Sequence, residues 1–289
     1  GLSRSVATLG VITYRVAQYW LPILLGGMAY LSLRVGPWSI ARRDRLERFR
    51  VLAKEETEVF ESGLEWAERY GLVAGVTTRP FSLGLWSDEP VAQVMSRWRA
   101  FRTAVAPQFP SVVLGHQVHG TEVRWHEALP EGWLILDGID GHATSQRGVL
   151  LTVTIADCIP VYLAVPQNGA IALLHAGWRG SAGGVLARGI EALTRRGSVR
   201  PVDIVMHCGV GICGECYEVG PEVAVRFGLS GTVGLDLRAA LTQQARKLGI
   251  EEISSSSWCS AEERSRFFSH RASGGRDGRM VAYLGLPLG

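Results

Sequence analysis

Two neighbouring apolar runs carry side chains that a plain core strand has no use for. "TIADCIPVYLAV" places Asp157 and Cys158 in a valine- and isoleucine-rich stretch, and "IALLHAGWRG" ends a second such stretch in His175 and Arg179 among glycines. A lone thiol in an apolar strand is ordinarily a small buried hydrophobe, and a lone histidine at a strand end ordinarily bonds a backbone carbonyl. Cys158 and His175, however, both stand where a strand stops and a glycine- or proline-marked turn begins, where loops gather into sites. With His119 of "HQVHG" they make two imidazoles and a thiolate, a good zinc donor set that leaves a fourth tetrahedral position for water. The glycines around Arg179, just ahead of a helix start, offer backbone N–H groups and a guanidinium to an oxyanion or phosphate. The plain alternative there is a tight turn whose arginine pairs with a surface acid.

"CGVGICGECYEVG" adds a second constellation. Cys208, Cys213 and Cys216 have the C-x4-C-x2-C spacing of plant-type iron–sulfur proteins, with Cys259 as a possible fourth ligand. GxxxxGK[ST] is absent, so the P-loop fingerprint of nucleotide-binding folds is missing. A net charge of +3 over 289 residues is too mild to suggest a nucleic-acid groove, and aromatics are not interleaved with basic runs. Five cysteines, an odd number, argue for reduced thiols in a cytoplasmic protein rather than a secreted disulfide scaffold.

The elements that must position these residues begin near Val59. "GLVAGVTTR" (71–79) reads as a strand entering a polar turn. "SDEPVAQVMSRWRAF" reads as a helix capped by Ser87, with acids in its first turn and Val91, Val94, Met95, Trp98 and Phe101 near one face. "SVVLGHQVHGTEVRWHE" gives two short strands about a glycine. "GVLLTVTIADCIPVYLAV" is a long β stretch broken near Asp157–Pro160, and "AIALLHA" and "VDIVMHCG" are further strands. "SAGGVLARGIEALTRR", with Ser181 as its cap, and "LDLRAALTQQARKLG" read as helices, and "GRMVAYLGL" closes as a strand. Strands and helices mixed without a strict βαβ rhythm indicate an α/β or α+β protein with one main domain. Residues 1–55 differ: an apolar stretch at 11–35, interrupted by Pro22 and Gly26–Gly27, precedes a basic run. It falls short of about 20 apolar residues for a bilayer span and reads as an extension outside the functional domain of 56–289. It is the one segment through which membrane association could occur.

"HQVHG", "DGIDGHATSQRG", "TIADCIPV", "LLHAGWRG", "CGECYEVG" and "WCSAEERSRFFSHRA…GRDGRM" resemble, in order, the motifs of the YfiH/laccase-domain family. The resemblance runs from about Val59 to the C-terminus. It implies a single domain of mixed β-sheets flanked by helices, in α-β-β-α layers like those of cysteine hydrolases. It also implies purine nucleoside phosphorylase activity, with adenosine deaminase and methylthioadenosine phosphorylase activities. Carried onto this chain, the family's zinc ligands are His119, Cys158 and His175, with His116 as a neighbour. Arg179 and Arg79, which closes the "TTR" motif, become candidates for phosphate or substrate contact, and Asp140 is expected to shape the pocket. Purine nucleosides and phosphate are the expected partners.

The sequence departs from the family where "PFSLGLW" replaces a Gly-Gly-Val-Ser turn after Arg79, and where Glu215–Cys216 replaces a Cys-Cys pair. Cys213 stands where the family has glycine, so the iron–sulfur spacing reads as coincidence. Two other chemistries compete with the zinc enzyme. Cys158 could be a nucleophile with His175 as its base and Asp157 or Asp140 orienting it. Copper-dependent phenol oxidation needs more than the seven histidines present, which include no His-x-His pair.

Overall fold

Side chains that alternate between two buried faces build this protein from two stacked sheets. The computed structural model describes residue 67 and residues 69–197 and 199–289, all within the unit Arg50–Gly289. The apolar stretch at 11–35 lies outside the described residues. Among the described residues no helix is long and apolar enough to cross a membrane.

In chain order the first elements are β1 (Val73–Val76), helix α1 (Val91–Val105), β2 (Ser111–His116), β3 (Val123–His126), β4 (Gly132–Asp137) and β5 (Gly141–Thr144). The central strands follow: β6 (Val149–Ile155), β7 (Ile159–Val165) and β8 (Ala170–Ala176), then helices α2 (Trp178–Gly183) and α3 (Val185–Gly197). The chain continues through β9 (Val205–Cys208), β10 (Glu218–Val219), α4 (Pro221–Ala224), β11 (Val233–Gly234) and α5 (Leu237–Lys247). It ends with β12 (Glu252–Ser255), α6 (His270–Ser273) and β13 (Met280–Gly285). One sheet has the order β1-β13-β6-β2-β4, the other β12-β9-β7-β8-β5-β3, and β10 and β11 form a small ribbon.

The period-two pattern of β7 and β8 explains the layering. Tyr162, Ala164, Ile171 and Leu173 enter the core shared with Val153 and Ile155 of β6 and Ala282 of β13. Val161, Leu163, Ala172 and Leu174 point the other way, onto Leu186, Ile190 and Leu193 of α3 and Leu241 of α5. Leu163 and Leu174 are fully buried, and each such side chain is worth ~1.5–3 kcal/mol, so neither face can be left to water. The Tyr162 hydroxyl donates to the Gly75 carbonyl at 2.9 Å and ties the two sheets together. On the far face of the five-stranded sheet, Trp98 of α1 stacks on Trp133 of β4 at 4.7 Å. The layers are therefore α-β-β-α, the architecture that the resemblance implies.

Three local expectations need correction. Ser87 does not cap α1: its hydroxyl donates to the Gly84 carbonyl, and the helix starts only after Pro90, with no acid in its first turn. The proline removes an N–H that would have been unsatisfied anyway. Val91 is exposed, so the core face of α1 is Val94, Trp98 and Phe101. Ser181 lies buried inside α2 rather than at the start of one long helix, because Gly184, at φ +93°, ends α2 and lets α3 begin anew.

Register brings the site together. β7 and β8 are antiparallel with Pro160 opposite His175, so the entry to one strand lies beside the exit of the other. β5 pairs antiparallel with β8, Gly141 opposite Leu174, and the His175 N–H donates to the Asp140 carbonyl at 2.7 Å. The β2–β3 loop, which carries His119, is tied in by the Asp140 and Gly141 N–H groups donating to the Glu122 carbonyl.

Candidate metal centre and its cavity

His119, Cys158 and His175 converge, with their ligand atoms all within 4.8 Å of one another. The two imidazole centroids are 4.9 Å apart, edge to face, and the Cys158 thiol bonds to both rings.

Asp140 organises this trio without joining it. Fully buried, its Oδ1 accepts from the His119 N–H at 3.0 Å and faces His175 Nδ1 at 2.8 Å. Its Oδ2 accepts from the N–H groups of Val118 at 3.1 Å and Gly120 at 2.7 Å. One carboxylate thus holds the backbone of the His119 turn, in which His119 adopts φ +59°, a left-handed conformation that costs most residues energy. It also holds the proton on His175 Nδ1, which leaves Nε2 for a metal, a common arrangement behind ligating imidazoles. Burial opposes ionisation of Asp140, yet the His175 bond and charge and the backbone N–H groups hold its pKa below the usual carboxylate value.

The same logic governs the thiol and the buried imidazole. Burial would push the Cys158 thiol up, but the His175 charge, then the bonds from His119 and His175, bring it down to about 6. Burial would push His175 down, but the Cys158 thiolate and the Asp140 bond raise it to about 9. Without a cation the pair is a thiolate facing an imidazolium. The donor set and the Asp140 brace fit a divalent metal that accepts nitrogen and sulfur.

Glycines make the convergence sterically possible. A Cβ on Gly177 would lie 2.9 Å from both Cys158 Sγ and the His119 ring, and one on Gly180 would lie 2.8 Å from the Gly120 carbonyl oxygen. The glycines of "HAGWRG" therefore admit the His119 loop against β8. Asp157, at φ +83°, plays a separate part. Its carboxylate accepts from the Ser260 hydroxyl at 2.7 Å and from the Arg271 N–H at 2.6 Å, fixing the start of α6 beside the trio.

The trio opens into a cavity of about 450 Å³ whose walls include Trp86, Trp178, Arg179, Tyr217 and Arg271. The Arg179 guanidinium rests on the Trp178 ring at 4.4 Å, and it forms no ion pair among the described residues, unlike the surface-paired turn arginine. Burial, and then the Cys158 charge, push Tyr217 up to about 12, so its hydroxyl stays protonated.

Known proteins share this architecture. The family model described as multi-copper polyphenol oxidoreductase laccase matches residues 67–287. The chain belongs to this family. A purine nucleoside phosphorylase of Deinococcus radiodurans is 37% identical over 229 residues, covering 74% of this chain and 86% of that protein. An adenosine deaminase, RL5, from an unknown prokaryotic organism is 35% identical over 161 residues, covering 50% and 61%. The crystal structure of the Bacillus licheniformis hypothetical protein YfiH superposes with a TM-score of 0.71 at 27% identity, covering 77% and 94%.

Within this laccase-family chain, not every expected site residue reaches the cavity. Arg79 pairs with Asp277, donates through Nε to the Phe267 carbonyl at 2.9 Å and lies over the Phe268 ring. It braces the loop before β13 and is absent from the cavity wall. His116, by contrast, does line the cavity, where it pairs with Asp137 at 2.7 Å and stacks on Trp86 at 4.3 Å. Cys208 is core, pushed up to about 12 by burial. Reading residue types misses Trp86, Tyr217 and Arg271. "RFFSHRA" and "CYEVG" mark the neighbourhood of two of them, but only the tertiary structure shows that they line the same cavity as Cys158.

Proposed function

We propose that this chain is a zinc-dependent purine nucleoside phosphorylase that also deaminates adenosine and phosphorolyses methylthioadenosine, with residues 56–289 as its catalytic unit. The observation that carries the reading is the His119–Cys158–His175 trio in a 450 Å³ cavity that also presents Arg179. The named activities of the Deinococcus and RL5 relatives support it, and five free cysteines suit a cytoplasmic location.

His119, Cys158 and His175 would hold the zinc, which when bound supplies Lewis acidity that lowers the pKa of water toward ~7. Asp140 keeps the His175 proton on Nδ1 throughout, so His175 presents Nε2 as a neutral donor. Phosphorolysis breaks the N-glycosidic bond as ribose C1′ gains positive charge, and Arg179 positions phosphate for attack at that carbon. Deamination needs water aimed at C6 of adenine, at the same cavity floor. The exposed face of Trp86, stacked on His116, offers a flat apolar surface to a purine. Incubation of the zinc-loaded protein with adenosine, inosine or methylthioadenosine plus phosphate, followed by chromatography, tests the reading. Ribose-1-phosphate, 5-methylthioribose-1-phosphate from methylthioadenosine, and inosine are expected, and the absence of all three would end it.

A second reading has its own observation. Cys158, His175 and Asp140 form an ordered thiol–imidazole–carboxylate line, the arrangement of a cysteine hydrolase. Asp140, not Asp157, would be its orienting acid. His119 separates the two readings, because a zinc site needs it and a thiol nucleophile does not. Loss of one zinc equivalent on His119→Ala supports the metal enzyme, while a metal-free Cys158 alkylated by iodoacetamide supports the hydrolase. Copper oxidation fits poorly despite the family's description. His126 and His142 bond each other, His207 bonds Ser254, and His116 pairs with Asp137, so these imidazoles are not gathered for further copper ions.

A further inference from the structure

We propose that Cys213, Cys216, Cys259 and Glu262 form a second zinc-class metal site, which staples together the two loops that support Asp157 and Cys158. Their ligand atoms all lie within 4.8 Å of one another. The donors come as two short pairs, Cys-x2-Cys and Cys-x2-Glu, each on one tight turn. Cys208, the first cysteine of the iron–sulfur spacing, is in the apolar core and takes no part. The pattern that reads as coincidence in one dimension therefore becomes, with a different fourth member, a convergence in three.

Two of the six ligand–ligand edges match those around a tetrahedral ion. Cys213 Sγ and Cys216 Sγ each lie 3.6 Å from Glu262 Oε1. A tetrahedral edge between a sulfur and an oxygen held at zinc bonding distances of ~2.3 and ~2.1 Å is also about 3.6 Å. The Cys213 N–H donates to Cys259 Sγ at 3.3 Å, which ties the two turns to each other. Cys213 and Cys216 are half-buried and Glu262 is exposed, so an ion can reach the site from solvent. Three thiols and a carboxylate select a soft, four-coordinate cation over magnesium or calcium, and binding releases three thiol protons.

The place of the cluster gives it a role. A Cβ on Gly211 would lie 2.4 Å from Ile159 and 2.8 Å from the Asp157 carbonyl oxygen, so this loop runs directly against the Asp157–Cys158 backbone. The Ile212 N–H donates to the Asp157 carbonyl at 2.9 Å and the Ser260 N–H to the Gly211 carbonyl at 3.0 Å. The Ser260 hydroxyl reaches the Asp157 carboxylate. An ion shared by residues 213, 216, 259 and 262 locks both supports of Asp157, which holds a left-handed conformation beside a ligand of the first centre.

The test uses the full chain, purified under reducing conditions, equilibrated with zinc, passed over a desalting column and assayed for bound metal. Two zinc ions per chain are expected, falling to one in Cys216→Ser, to one in His119→Ala, and to none in the double variant. Cobalt loaded into His119→Ala should show intense thiolate-to-metal charge transfer and tetrahedral d–d bands. Should Cys216→Ser fold poorly, Glu262→Gln, which changes an exposed side chain, should weaken the retained ion at least tenfold in chelator competition. One zinc per wild-type chain that disappears with His119→Ala would overturn the proposal, as would a Cys213–Cys216 disulfide persisting at that stoichiometry. One zinc that survives His119→Ala and is lost with Cys216→Ser would support this site while refuting the zinc-dependent phosphorylase.

Discussion

Replacement of Asp140 by asparagine tests how the first centre is held together. Four N–H donors converge on two carboxylate oxygens: those of His119 and His175 Nδ1 on Oδ1, and those of Val118 and Gly120 on Oδ2. An amide offers one oxygen, so its NH₂ must face two donors whichever way it turns, and the residue is fully buried. Losing two charge-assisted bonds at ~1.5–3 kcal/mol each gives a destabilisation of about 3–6 kcal/mol. At ~2–4 °C per kcal/mol for a domain of this size, the melting temperature should fall on the order of 10 °C. If the NH₂ faces His175, that ring must accept at Nδ1 and carry its proton on Nε2, the nitrogen meant for the metal. Zinc affinity should then drop ~10–100-fold, the usual cost of losing such a brace. Thermal melts and zinc competition with a chromogenic chelator read both effects. Asp157→Asn is the control: its oxygen can accept from the Arg271 N–H while its NH₂ donates to the Ser260 hydroxyl, and asparagine tolerates positive φ. Equal melting temperature and zinc affinity in Asp140→Asn and the wild type would refute the role of Asp140 as the brace of the trio.

Gly177→Ala should drive a methyl group into Cys158 Sγ and the His119 ring, lowering zinc affinity at the first centre at least tenfold; an unchanged affinity would mean the trio is not closed this tightly. Arg179→Gln should raise the KM for phosphate about tenfold or more while leaving bound zinc unchanged, and a normal phosphate KM would remove this arginine from anion binding. Acid stability follows from three histidines that the fold keeps neutral. Burial holds His126 at about 4, with help from Arg124, and His142 at about 3, with help from His126 and against Asp140; burial and Arg238 hold His207 at about 4. Because the unfolded chain protonates near ~6.5, their contribution is complete above that pH. It is lost as pH falls toward 4, at up to ~1.4 kcal/mol per pH unit for each. A melting temperature flat between pH 7 and 4.5 would show that protonation does not oppose folding at these rings.

The motif-bearing residues of the first centre were legible because their types are costly where they stand: an acid and a thiol in a strand otherwise suited to burial, and a histidine at the end of another. The α-β-β-α layering followed from the resemblance that these motifs carry, and β7 and β8 were legible as strands from their apolar runs. Chemical type also overreached. Arg79 carries the right charge in the right motif, yet Asp277 claims it. Ser87 and Ser181 are good caps by type, yet Pro90 and Gly184 set where the helices begin.

What the sequence by itself determined is which donors exist and which strands bury them. Tertiary structure alone decided which donors meet, because a contact between residues 119, 158 and 175 depends on strand register, on a carboxylate that gathers a loop, and on glycines that let backbones touch. The Cys213–Cys216–Cys259–Glu262 cluster shows the same limit. Spacing along the chain proposed Cys208 as a member, and the packing of β9 into an apolar core removed it, since a side chain's neighbours are set by the fold around it rather than by its distance along the chain.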